Sequence, residues 1–545
     1  MNVNMLYVDR DWNNMGRYID EKNIVQDLGL RTLFLTAAKE IVKEDGKIKF
    51  LKEADPYLED TMKKVMLVPV KTEEELLYRQ EIMRDCLEQE GFTQSLYALA
   101  AEALDRWDKL GRRASQKSSV LNSSRNLVTQ IHVLQLFVTY LTRLRKLFRE
   151  YTGKFSSRGL LSLEKRLGEV FSDRKAAGLE RILKDVAFYA NEKEHDELES
   201  GKLVNMPRIV LGCGVGAGLK FTDFRLEDLA TELRRYRDPN STLGKAQEYI
   251  SSRNKDSFSL QKGMALPAQA EQMEYEIVRY VISCCEPFYN EFSSFFDQLH
   301  FQAAFYRGAV NLKHSMKRFG VRSCYPSVCP GDVLRFRELK ELVMCLEQQI
   351  NPVGNACDID RKQLLIVTGA NQGGKSTFLR SIGVAQIMMQ CGLPVAAESY
   401  ESGIFTSFFT HFTRREDSAM NSGRLDEELG RMSRIVDNLG DNAMVLLNES
   451  FASTTEKEGS LIAYDIIKAL TEAGVKVLTV THLLSFAQRV YQESEGNLDS
   501  GVEFLSAQRM ENGRRTFKMI QHAPELTSFG LDLYEEMIGN SSLES

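Results

Sequence analysis

Residues 364–379 read LLIVTGANQGGKSTFL, and this stretch constrains the fold more than any other part of the chain. The short apolar run Leu364 to Val367 predicts a buried strand, which a glycine-rich turn and then a helix follow. The turn has the spacing G-x-x-x-x-G-K-[ST], with Gly369 and Gly374 at the two glycine positions. Glycine lets the backbone approach a polyphosphate closely and direct its N–H groups towards it. The sequence therefore predicts a phosphate-binding loop.

This loop predicts ATP and Mg²⁺ as ligands. Lys375 has the reach to contact the β- and γ-phosphates, Ser376 can bind Mg²⁺, and the helix beginning near Thr377 presents the positive end of its dipole. A glycine-rich turn that binds nothing is the alternative, and the flanking strand and helix disfavour it. The candidate nucleotide-binding residues of the loop are Gly369, Ala370, Asn371, Gln372, Gly373, Gly374, Lys375, Ser376 and Thr377.

Two later apolar runs end in polar residues. AMVLLNES, residues 443–450, ends in Asn448 and Glu449, and a carboxylate at a strand end can polarise a water aimed at the γ-phosphate. VKVLTVTH ends in His482, which is placed to sense that phosphate. An ordinary histidine is the alternative, but a third apolar strand of the same domain favours a functional one. Glu449, His482 and Lys375 are the candidate catalytic residues.

Length and composition limit the classes of protein to which this chain can belong. A chain of 545 residues is too long for one core and is expected to contain two to four domains. It has no run of eighteen uncharged apolar residues and no secretory signal at its N-terminus, so we expect no membrane span and a cytoplasmic location. The nine cysteines are scattered, which favours structural thiols over zinc or disulfides. The net charge of −6 does not indicate a nucleic-acid-binding protein, so local charge must decide.

The first half of the chain is predominantly helical in pattern. Residues 1–100 show helical spacing, and Thr72 is a candidate N-cap. Residues 121–151 contain no proline or glycine and predict one helix of about thirty residues, roughly 45 Å long. Between residues 111 and 160 there are ten Lys or Arg and one acidic residue, Glu150. This stretch is either a DNA-phosphate face or the solvated surface of a long helix.

A small β-containing insertion is expected between two helical arms, at residues 155–265. RIVLGCGVGAGLKF, from Arg208 to Phe221, has four alternating glycines; we interpret it as a bulged strand, with a dinucleotide-binding loop as the alternative. Glu271 to Leu312 is the expected return arm, with its helical pattern broken at Pro287. YPSVCPGD, residues 325–332, indicates a boundary before the nucleotide-binding domain.

These residues resemble the MutS family of DNA mismatch-repair ATPases. TGANQGGKST resembles that family's T-G-P-N-x-x-G-K-S-T, with Ala370 in place of the proline. Residues 448–459 lie without a gap on D-E-x-G-x-G-T-S-T-x-D-G, and residues 481–482 lie on T-H. Residues 421–424 match the S-G-R signature, and residues 527–531 resemble S-Y-G-I.

The resemblance implies an architecture and a composite site. It implies a multidomain protein whose residues 1–335 form a helical core with long lever helices and the clamp-like insertion, and whose residues 336–545 form an α/β ABC-type P-loop ATPase domain. It places Ser422 and Gly423 at the nucleotide of a partner subunit. Asn448 stands where the family has the aspartate that holds a Mg²⁺-bound water, so Ser376 and Asn448 are the candidate metal ligands and weak turnover is expected. The family's Phe-x-Glu mismatch reader finds no match in the first 100 residues.

The function expected from the sequence is an ATP-dependent DNA clamp. A homodimer would use ATP binding and slow hydrolysis to close on mismatched, branched or distorted DNA through phosphate contacts. A transporter ATPase is disfavoured because the L-S-G-G-Q signature is absent. A nucleotide-gated dimeric scaffold that binds protein partners without nucleic acid is the alternative.

Overall fold

The computed structural model describes most of the chain. It covers residues 3–7, 16, 18–44, 47–115, 123–172, 174, 203–215, 221–235, 268–329, 333–413, 423–495, 501–510 and 514–524. Ser422 and residues 527–531, both singled out in the sequence, lie outside the described residues, as does much of the insertion expected at 155–265.

Helices dominate the described residues before position 330. They are α1 (Glu21–Leu28), α2 (Leu30–Ala37), α3 (Pro56–Met66), α4 (Glu73–Glu88), α5 (Glu90–Ser115), α6 (Ser123–Glu150), α7 (Arg158–Val170) and α8 (Ala268–Arg318). Two antiparallel hairpins accompany them, β1 (Lys39–Glu44) with β2 (Lys47–Ala54), and β3 (Leu203–Val215) with β4 (Phe221–Arg235).

The N-terminal segment is less continuously helical than its sequence pattern predicted. Gly29 has a φ of 68°, a left-handed conformation that ends α1 and opens α2. Residues from Lys39 onwards form β1, because pairing with β2 satisfies a backbone whose β-branched Ile41 and Val42 suit a strand. The predicted N-cap is confirmed, since the Thr72 hydroxyl accepts the Glu75 N–H at 3.3 Å.

The predictions for the long helical arms have mixed outcomes. The single helix expected over residues 121–151 is confirmed as the 28-residue α6. The break expected at Pro287 is wrong, because the 51-residue helix α8 continues through this residue. A proline inside a helix costs about 3 kcal/mol, through one lost hydrogen bond and a local clash. That cost is small compared with the backbone hydrogen bonds that the rest of so long a helix makes. Residues 208–215 lie in β3, which is a bulged strand, as interpreted, with register shifts at Val210–Leu211 and Gly212–Gly214. The other two glycines of that segment, Gly216 and Gly218, lie outside the described residues.

The described residues after position 326 form an α/β arrangement. In chain order its elements are β5 (Ser327–Val328), β6 (Leu334–Leu339), α9 (Leu342–Gln348), β7 (Asn355–Asp358), β8 (Leu364–Thr368), α10 (Lys375–Gln390), β9 (Ser399–Ser402), β10 (Ser407–Phe412), α11 (Arg424–Asp437), β11 (Ala443–Asn448), α12 (Glu456–Glu472), β12 (Lys476–Val480), α13 (Leu484–Ser494), β13 (Val502–Arg509) and β14 (Arg515–Gln521).

The six-stranded sheet positions the residues singled out in the sequence. Its order is β10-β11-β12-β8-β13-β14, and all neighbouring pairs are parallel except β13 with β14. The register pairs Asn448 with Val480 and Val480 with Val367. Because the carboxyl ends of parallel strands meet at one edge, the phosphate loop, Glu449 and His482 all leave the sheet on the same side.

The sheet is held by an apolar core. β8 and β12 are buried along their whole length, as expected of parallel strands covered on both faces. Ile366, Val445 and Val477 belong to one buried cluster, to which α12 contributes Ala463 and Ile467. A four-stranded sheet of order β5-β9-β6-β7 completes this part of the chain.

Contacts divide the chain into two compact units. One comprises Met1–Val3, Ser95–Thr152 and Ser162–His300; the other comprises Asn4–Gln94, Gly153–Leu161 and Phe301–Ser545. The second unit combines residues from both sides of position 335, and the domain boundary expected there stays a prediction.

Within the second unit, a residue of the N-terminal helices reaches the end of the helix that follows the phosphate loop. Arg79 of α4 is fully buried and donates hydrogen bonds to the carbonyl oxygens of Leu6 at 3.2 Å and Cys391 at 3.3 Å. Cys391 is the residue directly after α10. Among the described residues, no helix has the length and apolar character needed to cross a membrane.

Candidate functional site

The phosphate loop lies between β8 and α10, as the sequence predicted, and the helix begins at Lys375 rather than near Thr377. Gly369 has a φ of 105° and Gly374 a φ of 92°, a region that side chains disfavour. A Cβ at Gly373 would lie 2.8 Å from the Cβ of Ala507 in β13, so the loop also needs glycine for close packing.

Lys375 is enclosed by the loop that precedes it. Its side chain is buried, and Nζ donates hydrogen bonds to the carbonyl oxygens of Gly369 and Ala370, each at 2.8 Å. Burial lowers the pKa of Lys375 to about 8, and the negative charge of Glu449 acts in the opposite sense. The lysine is therefore a cation at neutral pH whose charge a bound polyphosphate would stabilise.

Glu449 and His482 form a pair at the carboxyl ends of neighbouring strands. Oε1 of Glu449 lies 2.9 Å from Nε2 of His482. The hydrogen bond from His482 lowers the pKa of Glu449, and the positive charge of Lys375 acts in the same sense. The backbone N–H of Glu449 donates to the carbonyl oxygen of Val480 at 2.8 Å. The structure thus presents an ionised carboxylate, oriented by an imidazole, within electrostatic reach of the loop lysine.

Asn448 precedes this carboxylate, and its chemistry suits a cation. Its side-chain oxygen Oδ1 is buried and accepts no hydrogen bond from the described residues. Carboxamide and hydroxyl oxygens are ligands for Mg²⁺. Ser376, the other candidate metal ligand, lies half-buried in the first turn of α10. An acceptor without a donor at this edge fits a Mg²⁺ ligand, although it contributes no negative charge.

The remaining predicted loop residues differ in exposure. Asn371 and Gln372 are exposed, and Gln372 accepts a hydrogen bond from Arg515 at 2.9 Å. Thr377 is half-buried, in the first turn of α10. Gly423 directly precedes α11, and Ser422 lies outside the described residues.

Sequence reasoning missed an aromatic residue beside the loop. The side chain of Phe517 in β14 is 46% exposed, yet its Cδ1 would lie only 3.4 Å from a Cβ at Gly374. Its φ is 59°, a disfavoured conformation that Asn355 supports by bonding to the Phe517 carbonyl oxygen at 3.1 Å and the Met519 N–H at 2.8 Å. An exposed aromatic ring next to a phosphate loop can stack on a nucleobase. No spacing in the sequence marked this residue.

Three features define a P-loop nucleotide-binding domain. They are a glycine-rich loop between strand and helix, a buried lysine, and a carboxylate–histidine pair at one sheet edge. Comparison with known proteins adds the family. Residues 365–539 match MutS domain V, and residues 71–199 match the MutS2 N-terminal domain. The chain is therefore a member of the MutS family, as its motifs predicted.

Individual relatives share only part of their length with this chain. It is 31% identical over 180 residues to DNA mismatch repair protein MutS of Porphyromonas gingivalis, which is 32% of this chain and 20% of that protein. It is 32% identical over 156 residues to Endonuclease MutS2 of Lacticaseibacillus casei, 28% of this chain and 20% of that protein. It is 33% identical over 139 residues to DNA mismatch repair protein MSH3 of Debaryomyces hansenii, 25% of this chain and 14% of that protein.

The low pKa of Lys375 predicts a pH-dependent affinity for ATP. Lys375 would bind phosphate as a cation, and its pKa in the nucleotide-free protein is about 8. As the pH rises from 7.5 to 9.5, the free protein loses this proton and the ATP dissociation constant should rise, approaching tenfold per pH unit above the pKa. The terminal phosphate, with a second pKa near 6, is already ionised over this range. Titration with a fluorescent ATP analogue measures the effect, and a constant affinity between pH 7.5 and 9.5 would contradict it.

Proposed function

We propose that this chain is an ATPase of the MutS type that binds DNA in a nucleotide-dependent way. The observation that carries the proposal is the position of Glu449 and His482, which leave the sheet beside the loop that encloses Lys375. Relatives named for DNA mismatch repair support the DNA part of the proposal. None of these relatives' names supports a scaffold that binds protein alone.

Each residue of the site has a role that its environment supports. Lys375 and the loop N–H groups bind the phosphates. Glu449, kept ionised by His482 and Lys375, orients a water and receives its proton, and His482 fixes the direction of the carboxylate. Ser376 and Asn448 would hold Mg²⁺, which supplies neutralising charge at the phosphate oxygens. Because Asn448 is neutral, we propose that hydrolysis is slow.

We further propose that two copies of the chain complete each site. Ser422 and Gly423 of one subunit would contact the nucleotide held by Lys375 of the other. The observation that supports this is that α11 begins directly after Gly423, so a helix N-terminus follows the segment that would meet the phosphate. ATP binding would then draw two ATPase domains together, and the helical arms would transmit the closure to DNA.

The DNA contacts are proposed to be made to phosphates. The basic stretch seen in the sequence includes the end of α6, where Lys146 and Arg149 are exposed. Phosphate contacts carry no base information, so mismatched, branched or distorted duplexes would be distinguished by shape and deformability. Affinity should fall steeply as the salt concentration rises.

The central test separates nucleotide binding from hydrolysis. Lys375→Ala removes the phosphate cation and should abolish ATP binding, while Glu449→Ala removes the water-orienting carboxylate and should retain ATP but hydrolyse it at least 100-fold more slowly. Radiolabelled ATP turnover and filter binding measure both effects. Unchanged hydrolysis in both variants would refute the assigned roles.

The same variants test the DNA proposal in gel-shift assays with perfect, mispaired and four-way DNA, with and without ATP. Glu449→Ala should hold the ATP-dependent DNA complex longer than the wild type, and Lys375→Ala should show no effect of ATP. If no DNA binds at low salt, the DNA part of the proposal fails and the ATPase part stands or falls on turnover alone.

Asn448 offers a gain-of-function test. Asn448→Asp replaces a neutral ligand by a charged one of nearly equal size, so the Mg²⁺ concentration for half-maximal hydrolysis should fall about tenfold and turnover should rise. Asn448→Ala, which removes the oxygen, is the matched control and should shift the Mg²⁺ dependence the other way. Identical Mg²⁺ titrations for all three proteins would show that residue 448 does not contact the metal.

Phe517 tests whether a nucleobase lies beside the loop. Phe517→Ala should raise the dissociation constant for ATP by about 5- to 30-fold, because stacking contributes roughly 1–2 kcal/mol. It should leave the affinity for inorganic tripolyphosphate, which has no base, unchanged. Calorimetric titration with both ligands makes the comparison, and equal losses for the two would assign Phe517 to folding of the loop instead.

A further inference from the structure

The segment that follows Glu449 has an unusual backbone. Glu449 and Phe451 both have positive φ values, 55° and 66°, although neither is glycine. Residues in this region persist only when their surroundings hold them there. The contacts that hold this segment therefore also decide where the Glu449 carboxylate points.

Glu428 of α11 supplies those contacts. Its Oε2 accepts the backbone N–H of Phe451 at 2.8 Å, and its Oε1 accepts the hydroxyl of Ser453 at 2.7 Å. The Glu428 side chain is almost fully buried, and its bond to the Phe451 N–H lies away from competing solvent, while the bond to Ser453 is partly buried. Glu428 thus fixes the segment on the C-terminal side of Glu449 at two points.

His411 adds a second connection between the same elements. Its Nδ1 lies 2.7 Å from the Ser450 hydroxyl oxygen, and its Nε2 lies 3.1 Å from the carbonyl oxygen of Glu428. The imidazole also stacks on the ring of Phe451, with centroids 5.6 Å apart. The segment after Glu449 is therefore held by α11 and by the C-terminal end of β10.

One helical turn after Glu428, Arg431 anchors α11 itself. Its Nη1 donates to the carbonyl oxygen of Phe412 at 2.9 Å, and its Nη2 lies 3.3 Å from Oδ2 of Asp27 in α1. Both charged side chains are about 95% buried. Asp27 also accepts the hydroxyl of Thr410 at 2.8 Å, so the anchor reaches β10 and the N-terminal helix together.

We propose that Glu428 and Arg431 are positioning residues for hydrolysis. Glu428 orients Glu449 by holding the backbone that follows it, through the Phe451 N–H. Arg431, paired with Asp27, fixes the helix that carries Glu428. The inference rests on the proposed ATPase function and deepens it. Because α11 begins directly after Gly423, a displacement of that helix by a partner subunit's nucleotide would be transmitted to Glu449, so the two halves of a composite site would be mechanically linked.

Replacing Glu428 tests the first part. Glu428→Ala removes both acceptors and should lower kcat at least tenfold, while the ATP dissociation constant stays within twofold of the wild type because Lys375 and its loop are untouched. Glu428→Gln can still accept from Phe451 and bond to Ser453, so it should restore kcat to within about threefold. Asp437→Asn, an exposed acidic position on the same helix, is the control and should change neither quantity.

Replacing Arg431 tests the second part. Arg431→Met should reproduce the loss of kcat with unchanged ATP affinity, and Arg431→Lys should recover part of it. Arg434→Met, at an exposed position one turn further along α11, is the matched control. If a Glu428 or Arg431 variant fails to give a cooperative thermal transition, Ser453→Ala decides instead. It removes only one bond to Glu428 and should lower kcat about threefold without altering the affinity.

The outcomes separate this inference from the proposed function. Wild-type kcat in Glu428→Ala, or a parallel loss of kcat and ATP affinity, would overturn the positioning role. If the wild type itself does not hydrolyse ATP, the proposed function fails. The inference is then decided by hydrogen exchange, where faster exchange of the Glu449 and Phe451 amides in Glu428→Ala and Arg431→Met supports it and unchanged exchange overturns it.

Discussion

The parallel register of β11, β12 and β8 is the constraint on which the site depends. It aligns Asn448 with Val480 and Val480 with Val367, so three separate stretches of chain leave the sheet at the same edge. The intervening strand β12 separates the loop strand from the strand that ends in Asn448. Across that spacing, Lys375 and Glu449 still act on each other electrostatically.

The electrostatic balance of this edge gives Asn448 an effect separate from its proposed role as a metal ligand. Burial lowers the pKa of Lys375, and the negative charge of Glu449 opposes this shift. An aspartate at position 448 would add a second negative charge at the same edge and would raise the lysine pKa further. With a neutral Asn448, the pKa of Lys375 in the free protein stays closer to neutral pH than it would with an aspartate at that position. Binding of a polyphosphate would therefore take up more protons at Lys375 in this chain than it would with two carboxylates.

The sequence predicted the local parts of the site and missed the parts made by distant residues. The run LLIVTGANQGGKST contains its strand, its turn and its helix start within a few residues, so spacing and residue type were sufficient. Glu449 and His482 were predicted because each follows an apolar strand. Arg431 and Asp27 are 404 positions apart, and their pairing depends on packing that no local pattern encodes. Phe517 was missed for the same reason, since Asn355 and the loop glycines determine its place.

The nucleotide-binding part of this chain depends on residues far outside the segment that carries its motifs. Asp27 of α1 pairs with Arg431, and its carbonyl oxygen accepts the Nε of Arg380 in the helix after the phosphate loop at 3.3 Å. Arg79 of α4 donates to Cys391 at the other end of that helix. Removing one partner of a buried ion pair typically costs 3–5 kcal/mol because the remaining charge stays buried. A fragment beginning at residue 336 would lose all three contacts at once, so the N-terminal helices are part of the structure that orients the site and not merely an attachment to it.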